Sequence, residues 1–185
     1  MKTNQAMLNL RRTFIYGTCA AALAISLSGC AGGKAEKNVA DAVAVASAHA
    51  GHADTHLPNG DLRQTTAGVE TLPAFLTDAH GVIVQAYQAA ATAQDVLAYI
   101  PCYCGCGDSA GHRSNLECFI HETKPDGSVT WDDHGTRCGT CMEIAVQAAV
   151  MKQEGKSVSD IRSAIETKYS SQAQYATDTP PPPAS

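Results

Sequence analysis

Hydrophobic and polar positions divide the 185-residue chain into four stretches. Residues 14–27 are apolar and follow the basic residues Lys2, Arg11 and Arg12. About 14 apolar residues fall short of the ~20 that a helix needs to cross a bilayer, and they fit the apolar region of a signal peptide instead. Residues 30–68 are rich in Ala, Gly, Asp and His without a sustained apolar face, which predicts a flexible tether, with a transient helix at most over 39–48. Residues 69–175 carry the periodic patterns of a folded domain. Residues 176–185 form a Pro-rich tail that stays extended.

Inside the domain, Leu72-Pro73-Ala74-Phe75-Leu76 reads as an apolar clasp that docks on the core. Val82, Ile83, Ala86, Ala89 and Ala90 share one face of a helix over 82–91. Thr92-Ala93-Gln94-Asp95 reads as a capping box opening a short helix through Tyr99, which Pro101 ends. Segments 117–123 and 128–132 flank Lys124-Pro125-Asp126-Gly127, a turn sequence, and so predict a β-hairpin. A helix follows over 139–154, with Cys141, Ile144, Ala145, Ala148 and Met151 on one face and Gly155 as its cap. Ser157-Val158-Ser159-Asp160 is a second capping box, opening a last helix that runs to Tyr169. The fold expected is α-rich with a small β-hairpin, one compact helical domain after a disordered tether.

Charge narrows the function only a little. The net charge is −5, and no cluster of Lys and Arg offers a phosphate-binding face, so no nucleic-acid partner is expected. Aromatic residues make up only 5%, so the core should be small and alanine-rich. Hydrolytic motifs such as GxSxG, a P-loop or HExxH are not found, and an enzyme is not expected. Glu117, Glu122, Asp132 and Asp133 read as solvated hairpin charges, Phe119 and Trp131 as core cover for the cysteine region, His80 as a helix cap and Met142 as packing.

The eight cysteines carry the chemistry. Cys19 lies in the signal segment. Leu27-Ser28-Gly29-Cys30 reads as a lipobox, with small residues beside the cut and Cys30 as the lipid acceptor. This places the protein in the cell envelope, outside the cytoplasm, on a membrane through its lipid anchor. Arg11-Arg12-Thr13-Phe14-Ile15 also resembles a twin-arginine signal, although no Ser or Thr precedes the pair, and both export routes stay open. His49, His52 and His56 form a short His-rich tract in the tether.

Six cysteines remain: Cys102, Cys104 and Cys106 at alternate positions, Cys118, then Cys138 and Cys141 as a CxxC opening a helix. In an extended segment, alternate side chains point the same way. A helix N-terminus favours thiolate, and positions i and i+3 share a face. Three readings follow. Thiolates with His112 and His134 as partners would hold a soft ion, Cu(I) first and Zn(II) second. One structural zinc needs four ligands and would leave thiols over, while several Cu(I) ions or two zincs would use them better. Alternatively, three disulfides would stabilise a surface interaction domain. Lastly, Cys138 and Cys141 would serve thiol–disulfide exchange, although no thioredoxin-like βαβ pattern surrounds them. The partner expected is an envelope metalloprotein or a redox protein.

Around Ile100-Pro101-Cys102-Tyr103-Cys104-Gly105-Cys106-Gly107 the chain resembles the PCYCGC-motif bacterial lipoproteins. The lipobox, the clasp, His112, residues 115–119 and the CxxC with two following helices extend the resemblance over about residues 70–170. It implies an exported lipoprotein with a cysteine-rich domain and implies no reaction. Arg137-Cys138-Gly139-Thr140-Cys141, then Gly155 to Ile161 and Tyr169, is similar to the thiol reductase subunit of cytochrome c maturation. That likeness implies an antiparallel helix pair and a redox role, which the extra thiols Cys102, Cys104, Cys106 and Cys118 put in doubt.

Overall fold

Helix α4, Gly139–Gln153, organises the core. Its Cys141, Ile144, Ala145, Ala148 and Ala149 are buried, with the first four on the face expected from the sequence. Helix α1, Gly81–Thr92, packs across it through Ala86, Tyr87 and Ala90. Small side chains on both faces let the two helix axes come close, and the alanine-rich composition serves that approach. Helix α5, Val158–Lys168, follows α4 after Gly155, which takes a positive φ at the turn. The Ser157 side chain accepts from the Asp160 N–H, as the capping box predicts. Ile161 and Ile165 bury against the rest of the core, each worth about 1.5–3 kcal/mol of transfer free energy. Two shorter helices complete the helical layer: α2, Gln94–Leu97, and α3, Cys106–Ala110.

The computed structural model describes residues 54–183. The signal segment, the lipobox with Cys30, the run 39–48, His49 and His52 lie outside the described residues. Among the described residues no helix is long and apolar enough to cross a membrane.

The expected hairpin is present as β3, Ile120–Thr123, and β4, Val129–Asp132, with a register shift between Ile120 and Glu122. It belongs to a larger unit. Strands β1, Thr55–His56, and β2, Leu62–Thr66, join it in an antiparallel sheet of order β1-β2-β4-β3. The tether expected through residue 68 therefore gives way to structure by Thr55. Strand β2 pairs with β4 from Arg63 opposite Asp132 to Thr66 opposite Val129, and its backbone is satisfied by that edge. The Trp131 indole N–H donates to Thr66 Oγ1 at 2.8 Å, and the Thr65 and Thr130 hydroxyls lie 3.0 Å apart.

Tyr87 of α1 ties helices to sheet. Its hydroxyl donates to the Asp132 carbonyl at 2.7 Å, and its ring meets Phe75, Phe119 and Trp131. Phe75 belongs to the clasp, whose Leu76 is buried as expected. Phe119 and Trp131 thus build an aromatic core around Tyr87.

Two local expectations are corrected. Thr92 does not cap α2; it ends α1, and its hydroxyl donates to the Ala89 carbonyl inside that helix. His80 stands at the N-cap of α1 but makes no side-chain cap bond. The tail beyond Tyr175 is extended, as expected, and it docks on the core. The Thr177 N–H donates to the Cys102 carbonyl, the Cys102 N–H donates to Thr177 Oγ1, and Arg162 donates to the carbonyls of Thr179 and Pro180. Thr177 and Thr179 are buried by this docking.

Candidate metal centre

The Pro101–Gly107 motif enters the core extended at Cys102, whose amide and carbonyl are both held by Thr177. Gly105 then takes φ +81°, a left-handed conformation that L side chains resist. The chain turns there, and Cys106 opens α3 instead of continuing a strand. Gly111 ends α3, again at positive φ, so that the His112 N–H donates back to the Cys106 carbonyl at 3.2 Å. Cys118 closes a 3₁₀ turn over Leu116–Cys118. Asn115, just before it, is fully buried and spans the site: its backbone N–H donates to Ile100 and its side-chain amide to the Cys141 carbonyl. Cys138 is the N-cap of α4, and Cys141 faces inward from the first turn.

The six sulfurs form one connected set. Cys102, Cys104 and Cys141 make a tight triangle, with Sγ separations of 3.4, 3.0 and 3.4 Å for the pairs 102–104, 102–141 and 104–141. Cys106 and Cys118 are 3.7 Å apart, and His112 Nδ1 is 3.5 Å from Cys118 Sγ. Donor atoms of Cys104, Cys138 and Cys141 lie within 4.8 Å of one another, as do those of Cys106, His112 and His134. All six are free thiols, since a disulfide needs about 2.05 Å and the nearest pair stands at 3.0 Å. The structure therefore brings together every thiol expected at the site, along with both histidines. His121 lies exposed on β3, away from these groups. Met142 is half-buried against the core, and the tether residue His56 sits exposed in β1.

Crowded thiols share their protons unevenly. Cys104, the most open of the six, is driven far below the usual thiol value, first by its contact with Cys102. Cys141 and Cys118 are pushed up, with Cys102 the first cause in each, then Cys104 and Cys106, with burial adding to it. Cys106 and Cys138 are raised too, by Cys102 and by Cys104 respectively. His134 is raised to about 9, first by the Cys104 thiolate and, against the cost of burial, by Asp61. His112 is lowered by burial and by the neighbouring His134, which leaves it neutral and able to act as a donor. Cys102, against the opposing effect of Cys104, is lowered to about 4 by Cys106, Cys118 and Cys141, and two thiolates among four raised thiols give a cluster whose remaining protons a cation would displace.

Sequence reasoning missed the residues behind the histidines. Asp61 is 1% exposed, accepts from Asn59 and Arg137, and lies 3.1 Å from His134 Nδ1. Asp132, read as a solvated charge, is instead fully buried, accepting from Arg63 Nε at 2.8 Å and from the His134 N–H. Asp133 is half-buried and accepts from the Leu62 N–H and from Arg137. The turn residues Pro58-Asn59-Gly60 between two short β-forming runs were the signal for Asp61.

Fold and site define an α-rich domain built around a cysteine cluster able to hold a metal ion. The chain belongs to the family described as "Protein of unknown function with PCYCGC motif", whose model matches residues 19–182. No curated protein and no solved structure matches the chain.

Proposed function

We propose that the protein is an exported lipoprotein, anchored through Cys30, that captures, buffers or hands over a soft metal ion in the cell envelope. Copper is the first choice and zinc the second. The observation that supports this best is the convergence of six thiols within one set, five of them 3.0–3.7 Å from a neighbouring sulfur and Cys138 within 4.8 Å of Cys104 and Cys141. Two thiolates on one tetrahedral zinc, each at about 2.3 Å, stand about 3.8 Å apart, so the cluster already has the scale of a metal site. Thiolate softness favours Cu(I) over Zn(II) for such donors. Cys104 at the surface and half-exposed Cys138 offer an entrance for ligand exchange with an envelope metalloprotein. The role is binding rather than catalysis.

The test is to purify the full chain anaerobically and measure metal per chain together with alkylatable thiols. Stoichiometric copper or zinc whose removal exposes all six thiols is the expected result. Three intact disulfides and no metal would overturn the proposal in favour of a disulfide-stabilised interaction domain. A redox reading draws on the 3.0 Å approach of Cys102 and Cys141, the pair nearest to a bond. It requires that Cys138→Ser or Cys141→Ser abolish reduction of a disulfide substrate; unchanged reduction ends it.

A further inference from the structure

We infer that the eight donors form two adjacent sites of different chemistry: a four-thiolate site of Cys102, Cys104, Cys138 and Cys141, and a mixed site of Cys106, Cys118, His112 and His134 that takes a zinc-class divalent ion. The inference rests on the metal-binding reading above and divides its site.

Edge lengths support the mixed site. A sulfur at about 2.3 Å and an imidazole nitrogen at about 2.0–2.1 Å on one tetrahedral zinc lie about 3.6 Å apart, and two sulfurs about 3.8 Å. Cys118 Sγ to His112 Nδ1 is 3.5 Å, and Cys106 Sγ to Cys118 Sγ is 3.7 Å. A nitrogen of His134 lies within 4.8 Å of the donor atoms of Cys106 and His112. In the other half Cys141 and Cys104 link the tight triangle to Cys138; the two halves touch, since the donor atoms of Cys102, Cys104 and Cys106 lie within 4.8 Å of one another, as do those of Cys102, Cys118 and Cys141, and His134 also contacts Cys104. Imidazole donors suit zinc, whereas an all-thiolate set suits copper(I) as well.

The surroundings of the histidines give a second, independent observation. His112 is 4% exposed, and its Nε2 is buried without any hydrogen-bond partner. A donor atom of Asp61, of His112 and of Asp132 lie within 4.8 Å of one another. A metal-bound imidazole donates its second N–H to a carboxylate or other acceptor, which sets tautomer and ring orientation. His134 has that arrangement already: Nδ1 faces Asp61 at 3.1 Å, leaving Nε2 as the donor. Two buried carboxylates, braced by Arg63 and Arg137, thus stand behind two histidines whose ring centroids are 4.8 Å apart. Each ion bound at the mixed site displaces the protons of Cys106 and Cys118 and the second ring proton of His134 into solvent.

The experiment loads the reduced, anaerobic full chain with zinc alone, and separately with cadmium-113 alone. Two zinc ions per chain are expected, with two cadmium resonances, one in the all-thiolate range and one shifted as nitrogen replaces sulfur. In the double variant His112→Asn, His134→Asn, zinc falls from two ions to one and the mixed resonance disappears while the thiolate resonance stays. If that variant misfolds, zinc X-ray absorption of the unaltered chain decides, through the presence or absence of nitrogen scatterers. One ion per chain, or sulfur-only ligation, overturns the two-site division and leaves the metal-binding reading standing. No bound ion at all removes both.

Discussion

Gly135 lies beside His134, in the 3₁₀ turn Asp133–Arg137 that delivers this imidazole to the cysteine cluster. A Cβ at this position would stand 2.6 and 2.7 Å from Phe119 Cε1 and Cδ1 and 2.8 Å from the Cys118 carbonyl oxygen. Neither neighbour yields easily. The Phe119 ring is fully buried and packed edge-on against Tyr87, and the carbonyl is backbone of the turn that holds Cys118. Overpacking of this kind costs typically 1–3 kcal/mol, and a contact with backbone on one side places Gly135→Ala near the top, at about 3 kcal/mol. At ~4 °C per kcal/mol for a domain of this size, the melting temperature of the metal-free protein should fall by ~12 °C. Gly139→Ala is the control: it opens α4 between the two cysteines of the CxxC, and its Cβ would meet nothing within 4 Å. Replacing this helical glycine should leave stability unchanged or raise it by up to about 1 kcal/mol. Urea denaturation of both variants against the parent makes the comparison. A loss below about 1 kcal/mol for Gly135→Ala, or equal losses in both, would refute the packing argument.

Two further predictions follow from the docked tail and from the shared protons. Thr177→Val leaves the buried Cys102 N–H without its acceptor and should cost about 1–3 kcal/mol, with faster alkylation of Cys102 detected by mass spectrometry. Binding must displace protons from the raised thiols Cys106, Cys118, Cys138 and Cys141, so zinc affinity should climb from about pH 6 to about pH 8, and calorimetry in buffers of different ionisation enthalpy should record the protons released. His134 works in the opposite sense on the metal-free fold. Because its value is raised to about 9, its contribution to stability is complete below the unfolded value of about 6.5 and is lost as pH rises through about 9, which denaturation curves across that window should trace.

Helices α4 and α5 were legible because periodicity and caps agreed along their whole length: Cys141, Ile144, Ala145 and Ala148 on one face, Ser157 and Asp160 at a start. The hairpin was legible from Lys124-Pro125-Asp126-Gly127. What escaped reading has no strong local pattern. Strand β1 is two residues long, and β2 is polar at most positions and gains its order from pairing with β4. Its contribution to the site, Asp61, is a single acid in a polar stretch, and only its arginine and histidine partners, more than 70 positions away, show why it is buried. The tail behaves alike. Its prolines correctly gave an extended backbone, but docking depends on Thr177 meeting both polar groups of Cys102 across 75 positions.

The CxCxC spacing alone does not gather three thiols on one ion; a turn after the second is needed, and Gly105 permits it. Along a strand that rises about 3.3 Å per residue, side chains two apart share a face but sit roughly 6.6 Å from each other. That is well beyond the ~3.8 Å between two thiolates on one tetrahedral ion. Alternation alone would have lined up three sulfurs without joining them. Gly105, whose φ of +81° breaks the extended run, and the helix that Cys106 then opens redirect the third sulfur. Cys102 and Cys104 already stand 3.4 Å apart ahead of the break, which turns Cys106 toward Cys118, 3.7 Å away, while leaving it within 4.8 Å of Cys102 and Cys104. The glycine between the second and third cysteines therefore sets where the third thiol goes: it meets Cys118 and the histidines without leaving the reach of Cys102 and Cys104.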